Sequence, residues 1–176
     1  MRLVENVYAI DVRLFHWCQQ LRYRKALIVL AKQVSRSADG YLYIVIGFLA
    51  LYFSYYAFFA IALTAFALER ILYFLIKNYF RRNRPPDSLP DFRSVVTASD
   101  KFSFPSGHTS AAFLMSTAIV IYFPSLAWLL YPWAAGVGWS RVMLGVHFPG
   151  DSMAGALLGS TVVLVLFVNT AHLLAF

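Results

Sequence analysis

Apolar residues in this chain run on without interruption, showing neither the alternation of a half-buried strand nor the one-sided stripe of a soluble helix. Tyr41 to Leu68, Phe102 to Ser140 and Ser152 to Phe176 contain no Asp, Glu, Lys or Arg. A hydrocarbon core about 30 Å thick takes roughly 20 apolar helical residues to cross, so each run suffices for one or two crossings. A helix satisfies its own backbone groups in lipid, whereas the strands of a membrane barrel would alternate polar and apolar positions. The pattern therefore predicts an all-α integral membrane helical bundle.

Local breaks divide these runs into five spans. The first covers Ala38 to Tyr55 and the second Ala57 to Phe80, with no Gly or Pro at the turn between them. The third starts at Pro105 and ends near Phe123 and Pro124. Ser125 can cap the fourth, which runs to about Val142 with a kink at Pro132. The fifth opens at Pro149. Ahead of them, residues 4–22 put Val7, Ile10, Leu14, Trp17, Cys18 and Leu21 on one helical face, the pattern of an interfacial amphipathic helix. The segment Ala26 to Val34 is too short to span and is expected to be interfacial or partly inserted; a sixth span would need it to cross. One domain is expected over 1–176, with amphipathic helices in 1–37 and the membrane bundle in 38–176.

Composition agrees. The chain is 60% hydrophobic and 13% charged, too apolar for an ordinary soluble domain. Its net charge of +7 comes from cations that flank the spans, so anionic lipid, not nucleic acid, is the expected partner. Cys18 is the single cysteine, which excludes an intrachain disulfide. Glu5, Asp11 and Arg13 interrupt the first apolar stretch, so no cleavable signal peptide is expected.

Three polar segments stand out in so apolar a chain: Lys77-x6-Arg84-Pro85, Pro105-Ser106-Gly107-His108, and Ser140-Arg141-x5-His147-x3-Asp151. The span order brings them to one membrane face. From His108 the chain crosses, turns at Pro124 and Ser125, and returns to Arg141, while Lys77 and Arg84 join His108 through a loop that does not span. Pro105 suits the first turn of a helix, whose free N–H groups at Ser106, Gly107 and His108 favour an anion. Gly107 lets a phosphate approach without a Cβ in the way. Arg84 and Arg141 can grip phosphate oxygens in a fork, and Lys77 supplies a movable point charge.

The histidines can share the remaining chemistry. Asp151, four residues after His147, can accept from His147 Nδ1 and leave Nε2 free to attack phosphorus. His108 can protonate the leaving oxygen and then activate water. This scheme needs no metal and no cofactor. Other polar residues get plainer readings. His16 and His172 are interfacial polar residues. Arg81, Arg82, Arg93 and Lys101 are interfacial or lipid-headgroup cations, not catalytic ones. Glu69 and Arg70 are a compensating pair, with proton handling the second reading. Gly155-x3-Gly159 reads as close helix packing before a dimer seam.

In order and spacing, the three segments resemble the signature of the type 2 phosphatidic acid phosphatase superfamily, which recurs in vanadium haloperoxidases and glucose-6-phosphatase. The resemblance covers residues 77–151. It implies a phosphohistidine mechanism with His147 as nucleophile, Asp151 as its orienting partner and His108 as general acid. Lys77, Arg84, Ser106, Gly107 and Arg141 would hold the phosphate. The implied substrate is a membrane lipid phosphomonoester or diphosphate: phosphatidic acid, phosphatidylglycerol phosphate, or a polyprenyl diphosphate such as undecaprenyl diphosphate. The implied setting is a bacterial cytoplasmic membrane. A lipid phosphotransferase using the same phosphohistidine and a non-catalytic lipid-phosphate-binding protein are the alternatives. A haloperoxidase is disfavoured because those enzymes are soluble. Side chains alone leave the orientation open. Nearly every Lys and Arg lies on the site's face, which the positive-inside rule would place in the cytoplasm, whereas bacterial relatives usually have the site outside.

Overall fold

A computed structural model describes residues 2–98 and 100–174, leaving aside the side chains at 2–5, 7 and 171–174; His172 thus lies outside the described side chains. The helices are α1 (Arg2–Gln19), α2 (Arg24–Arg36), α3 (Tyr41–Tyr52), α4 (Tyr56–Phe80), α5 (Pro85–Ser88), α6 (Gly107–Tyr122), α7 (Ala127–Met143) and α8 (Pro149–Leu174), with no strand among the described residues. Arg24–Tyr52, Tyr56–Ser88 and Pro149–Thr170 are long and apolar enough to cross a membrane, and α6 is a shorter apolar helix beside them. The result is an integral membrane helical bundle.

Helix α6 sits at the centre, packed on α8, α7 and α4. It can be surrounded because its buried positions are small: Thr109, Ser110, Ala111, Ala112, Ser116, Thr117 and Ala118. Helix α8 meets it with glycine. A Cβ at Gly155 would strike the carbonyl oxygen of Ser106, and one at Gly159 that of Ser110. This glycine pair therefore makes a helix contact within the chain.

The first crossing differs from the expected one. Helix α3 has only 12 residues, about 18 Å of helix, and is too short to span alone. Helix α2 completes it, after a break at Ser37 to Gly40 where Gly40 adopts φ 103°. Helix α2 runs along α7, with Ala31 packed on Met143 and Leu144 and Val34 3.7 Å from where a Gly136 Cβ would be. Glycine and alanine on α7 leave the room that α2 fills.

Helix α1 presents an unexpected face to the bundle. Asp11 and Phe15 are buried, and the Phe15 ring packs edge-on against Phe92 and Phe148 at 5.0 and 5.4 Å. The apolar stripe of Ile10, Leu14 and Trp17 is exposed, as an interfacial helix requires. Three smaller expectations change. Pro105 precedes the Ser106 N-cap of α6 and is not in its first turn. Ser125 lies within a 3₁₀ turn, Pro124–Leu126, and makes no cap hydrogen bond. Arg70 stacks over the Tyr73 ring at 4.8 Å and only reaches 3.9 Å from Glu69, whose carboxylate oxygens have no hydrogen-bond partner among the described residues. The expected compensating pair is thus barely formed.

Candidate active site

The last turn of α4 delivers Lys77, with Tyr73 one turn below it on the same face. Lys77 Nζ donates to the Tyr73 hydroxyl and to the carboxylate of Asp100. Arg81 in the left-handed region ends α4, and the chain passes through an extended Arg84 into α5, where Pro85 tolerates the first turn. Arg84 is buried. It donates from Nε to the Asp100 carbonyl at 3.0 Å, from Nη1 to the Val146 carbonyl at 2.6 Å, and from Nη2 to the Asp100 carboxylate. Its Nη1 also lies 3.4 Å from His147 Nε2.

The other cations and histidines come from helix ends. Arg141, near the end of α7, donates to Ser35 Oγ of α2 at 2.7 Å, and its Nε has no partner among the described residues. His108, in the first turn of α6, places Nε2 3.0 Å from Asp39 Oδ1. His147 sits in the short connection between α7 and α8 and is 2% exposed. Asp151 is in the first turn of α8, and its Oδ2 accepts from the Phe148 N–H at 2.8 Å, a reach-back that caps the helix. That bond changes the expected pairing. Oδ2 stands 3.7 Å from His147 Nδ1, which has no hydrogen-bond partner among the described residues.

Arg84, Asp100, Gly107, His108, Arg141 and His147 line one cavity of about 950 Å³. Lys77 and Ser106 are not on its wall. Lys77 is reached through Asp100 and Tyr73, and the Ser106 hydroxyl turns to Thr109 Oγ1 at 2.9 Å. Gly107 also has a duty the sequence did not suggest: a Cβ there would lie 3.1 Å from the Tyr73 ring. Below the polar end, the cavity continues between α3 and α4, over Phe48, Leu51, Phe59, Leu63 and Phe66.

Burial drives the His147 pKa down to about 4, and the charges of Arg84 and Arg141 push the same way against the pull of Asp151. The ring is thus neutral near pH 7. Burial works against a charged Asp100, but hydrogen bonds from Lys77 and Tyr73 and the charges of Lys77 and Arg84 outweigh it and hold its pKa below the ordinary carboxylate range. Asp100 thereby takes up two of the groups that a phosphate would engage. Sequence reasoning missed it, together with Asp39, Ser35 and Tyr73. Only Tyr73 left a signal, the four-residue spacing to Lys77. Arg82, expected to be a headgroup cation, instead points inward to Asp151, with Nη1 2.9 Å from Oδ1.

The sequence model of the PAP2 superfamily matches residues 58–173, from the start of α4 to the end of α8. The chain belongs to the PAP2 superfamily. Over 106 residues this PAP2 chain is 34% identical to a bacitracin transport permease protein, BcrC, of Bacillus licheniformis, covering 60% of the chain and 52% of that protein. It is 40% identical over 92 residues to a decaprenylphosphoryl-5-phosphoribose phosphatase of Mycobacterium tuberculosis, covering 50% of the chain and 48% of that protein. The chain thus spans about half the length of the curated relatives it matches. Its fold is that of a transmembrane PAP2-type phosphatidylglycerolphosphate phosphatase from Bacillus subtilis: TM-score 0.79 at 24% identity, covering 97% of this chain and 89% of that one. Helices α1 to α3 precede the matched region, so Asp11, Ser35 and Asp39 come from outside it.

Proposed function

We propose that this protein is a lipid phosphatase that works through a phosphohistidine. The observation that carries the reading is the form of the cavity, cationic at one end and apolar between α3 and α4 along the rest. A lipid phosphate fits it with its headgroup among Arg84, Arg141 and His147 and its tail over Phe48, Leu51 and Phe66. Access then lies beside α3 and α4, the first two crossings. Exposed Phe48 and Leu63 at the rim favour this, because a tail that stays among apolar groups avoids about 0.8 kcal/mol of exposure per CH₂.

The chemistry follows from the placement. His147 Nε2 carries the lone pair, since the ring is neutral, and attacks phosphorus. A P–N bond forms as the P–O bond to the lipid breaks. His108 gives its proton to the departing oxygen, then takes one from the water that cleaves the P–N bond and releases inorganic phosphate. Arg84 and Arg141 offset the charge on the transferring group, and Lys77 joins them when phosphate displaces Asp100. The likeness to a decaprenylphosphoryl-linked phosphatase supports a polyprenyl-linked phosphate among the candidates, with phosphatidic acid and phosphatidylglycerol phosphate beside it. A bacterial cytoplasmic membrane is the setting consistent with these relatives.

The test is phosphate release by purified protein from a panel of long-chain lipid phosphates and diphosphates, with glycerol phosphate in the same detergent as the soluble control. A kcat/KM far higher for a long-chain member is expected. Equal turnover of glycerol phosphate would refute the role of the α3–α4 cavity. Phosphate passed to a second lipid without release would identify a phosphotransferase instead.

A further inference from the structure

Asp151 is completely buried, yet both its oxygens are occupied, and by different parts of the chain. Oδ2 accepts from the Phe148 N–H at 2.8 Å, and Oδ1 accepts from Arg82 Nη1 at 2.9 Å. The other arm of the same guanidinium reaches α1, where Nη2 donates to Asp11 Oδ2 at 2.6 Å. Asp11 is itself buried, and its Oδ1 accepts from the Gly150 N–H at 2.7 Å. Gly150 has to be bare for this, since a Cβ there would lie 2.9 Å from Asp11 Oδ2. The guanidinium carbon lies 4.4 Å above the centre of the Phe148 ring, which fixes its third side.

We propose that Arg82 and Asp11 are positioning residues for His147, acting through Asp151. This rests on the reading of His147 as the nucleophile. A carboxylate held by two donors cannot turn, so Oδ2 stays opposite His147 Nδ1, 3.7 Å away. A guanidinium fork can join two carboxylates at once, which an ammonium cannot do in the same plane. Asp11 neutralises part of the Arg82 charge that would otherwise bear wholly on Asp151. The N-terminal helix, outside the matched family region, thereby takes part in the chemistry.

The sign of each change at His147 follows from the charges around it. Arg84 faces it from the loop after α4, Arg141 from α7 and Asp151 from α8. Lys77 on α4 and Asp100 stand behind Arg84, and Arg82 and Asp11 behind Asp151. Removing Arg82 leaves two buried carboxylates without their cation and favours a protonated His147. Removing the Asp11 charge does the opposite.

The deciding measurement is an NMR titration of the protein labelled at its histidines, with the His147 resonance assigned through His147→Gln. Arg82→Met should raise the His147 midpoint by about one pH unit, and Asp11→Asn should lower it. Arg82→Lys should keep the midpoint near the wild-type value while reducing kcat on phosphatidic acid in detergent. A His147 midpoint that does not move in Asp11→Asn, in protein as stable as wild type, overturns the proposal. That variant decides alone if Arg82→Met does not fold. Full turnover by His147→Ala would overturn the phosphohistidine reading itself. Activity that depends on His147 together with an unmoved midpoint overturns only the role of Arg82 and Asp11.

Discussion

Nε2 of His108 donates to Oδ1 of Asp39 across 3.0 Å, joining the first turn of α6 to the break between α2 and α3. The break exists because Gly40 can adopt φ 103°, and it sets Asp39 against the histidine read as the general acid. A carboxylate there fixes the orientation of the ring.

Asp39→Ala should therefore impair the step in which the leaving oxygen is protonated. A loss of about tenfold or more in kcat is expected on a lipid phosphate, whose alkoxide leaves poorly, and a much smaller loss on a nitrophenyl ester. Equal losses on both would place Asp39 outside proton transfer.

His147→Ala should abolish turnover, since His108, the other histidine on the cavity wall, has its Nε2 held by Asp39. The wild-type pH profile should carry the same residue's mark. The neutral ring reacts, and its pKa lies near 4, below the ordinary 6.5, so kcat/KM holds as pH falls through 6 and declines only as it approaches 4. An acid limb centred near 6.5 would contradict the depressed value.

Arg141→Lys should lose most activity although the charge remains. The arginine is anchored by Nη1 on Ser35 Oγ at 2.7 Å, which leaves the rest of the guanidinium for the phosphate. An ammonium cannot hold Ser35 and two phosphate oxygens together. The comparison to make is kcat at saturating substrate, and equal values would mean that Arg141 supplies only charge.

Gly159→Val should destabilise the bundle by several kcal/mol, because its Cβ would fall on the Ser110 carbonyl and force α8 away from α6. A thermal unfolding midpoint equal to wild type in detergent would show that the two helices can separate without loss.

Much of this protein was legible in the chain because the signals were local. Charge-free runs long enough to cross lipid mark the bundle, and Pro149 and Pro124 mark the starts of α8 and of the turn before α7. The order of the polar segments along the spans was enough to expect Arg84, His108, Arg141 and His147 on one face, where one cavity holds them. Gly155 and Gly159 could be read as a packing pair from spacing alone. What the chain did not disclose is which charge meets which. Asp100 joins Lys77 across 23 residues, Asp39 joins His108 across 69, and Asp11 joins Arg82 across 71. No period or motif links such positions, because they meet only where the packing of α1, α2 and the loop before α6 places them. A charge buried in a low-dielectric interior must find a partner wherever the fold offers one. Arg82, one more cation in a basic loop by sequence, turned inward because two buried carboxylates lay within its reach.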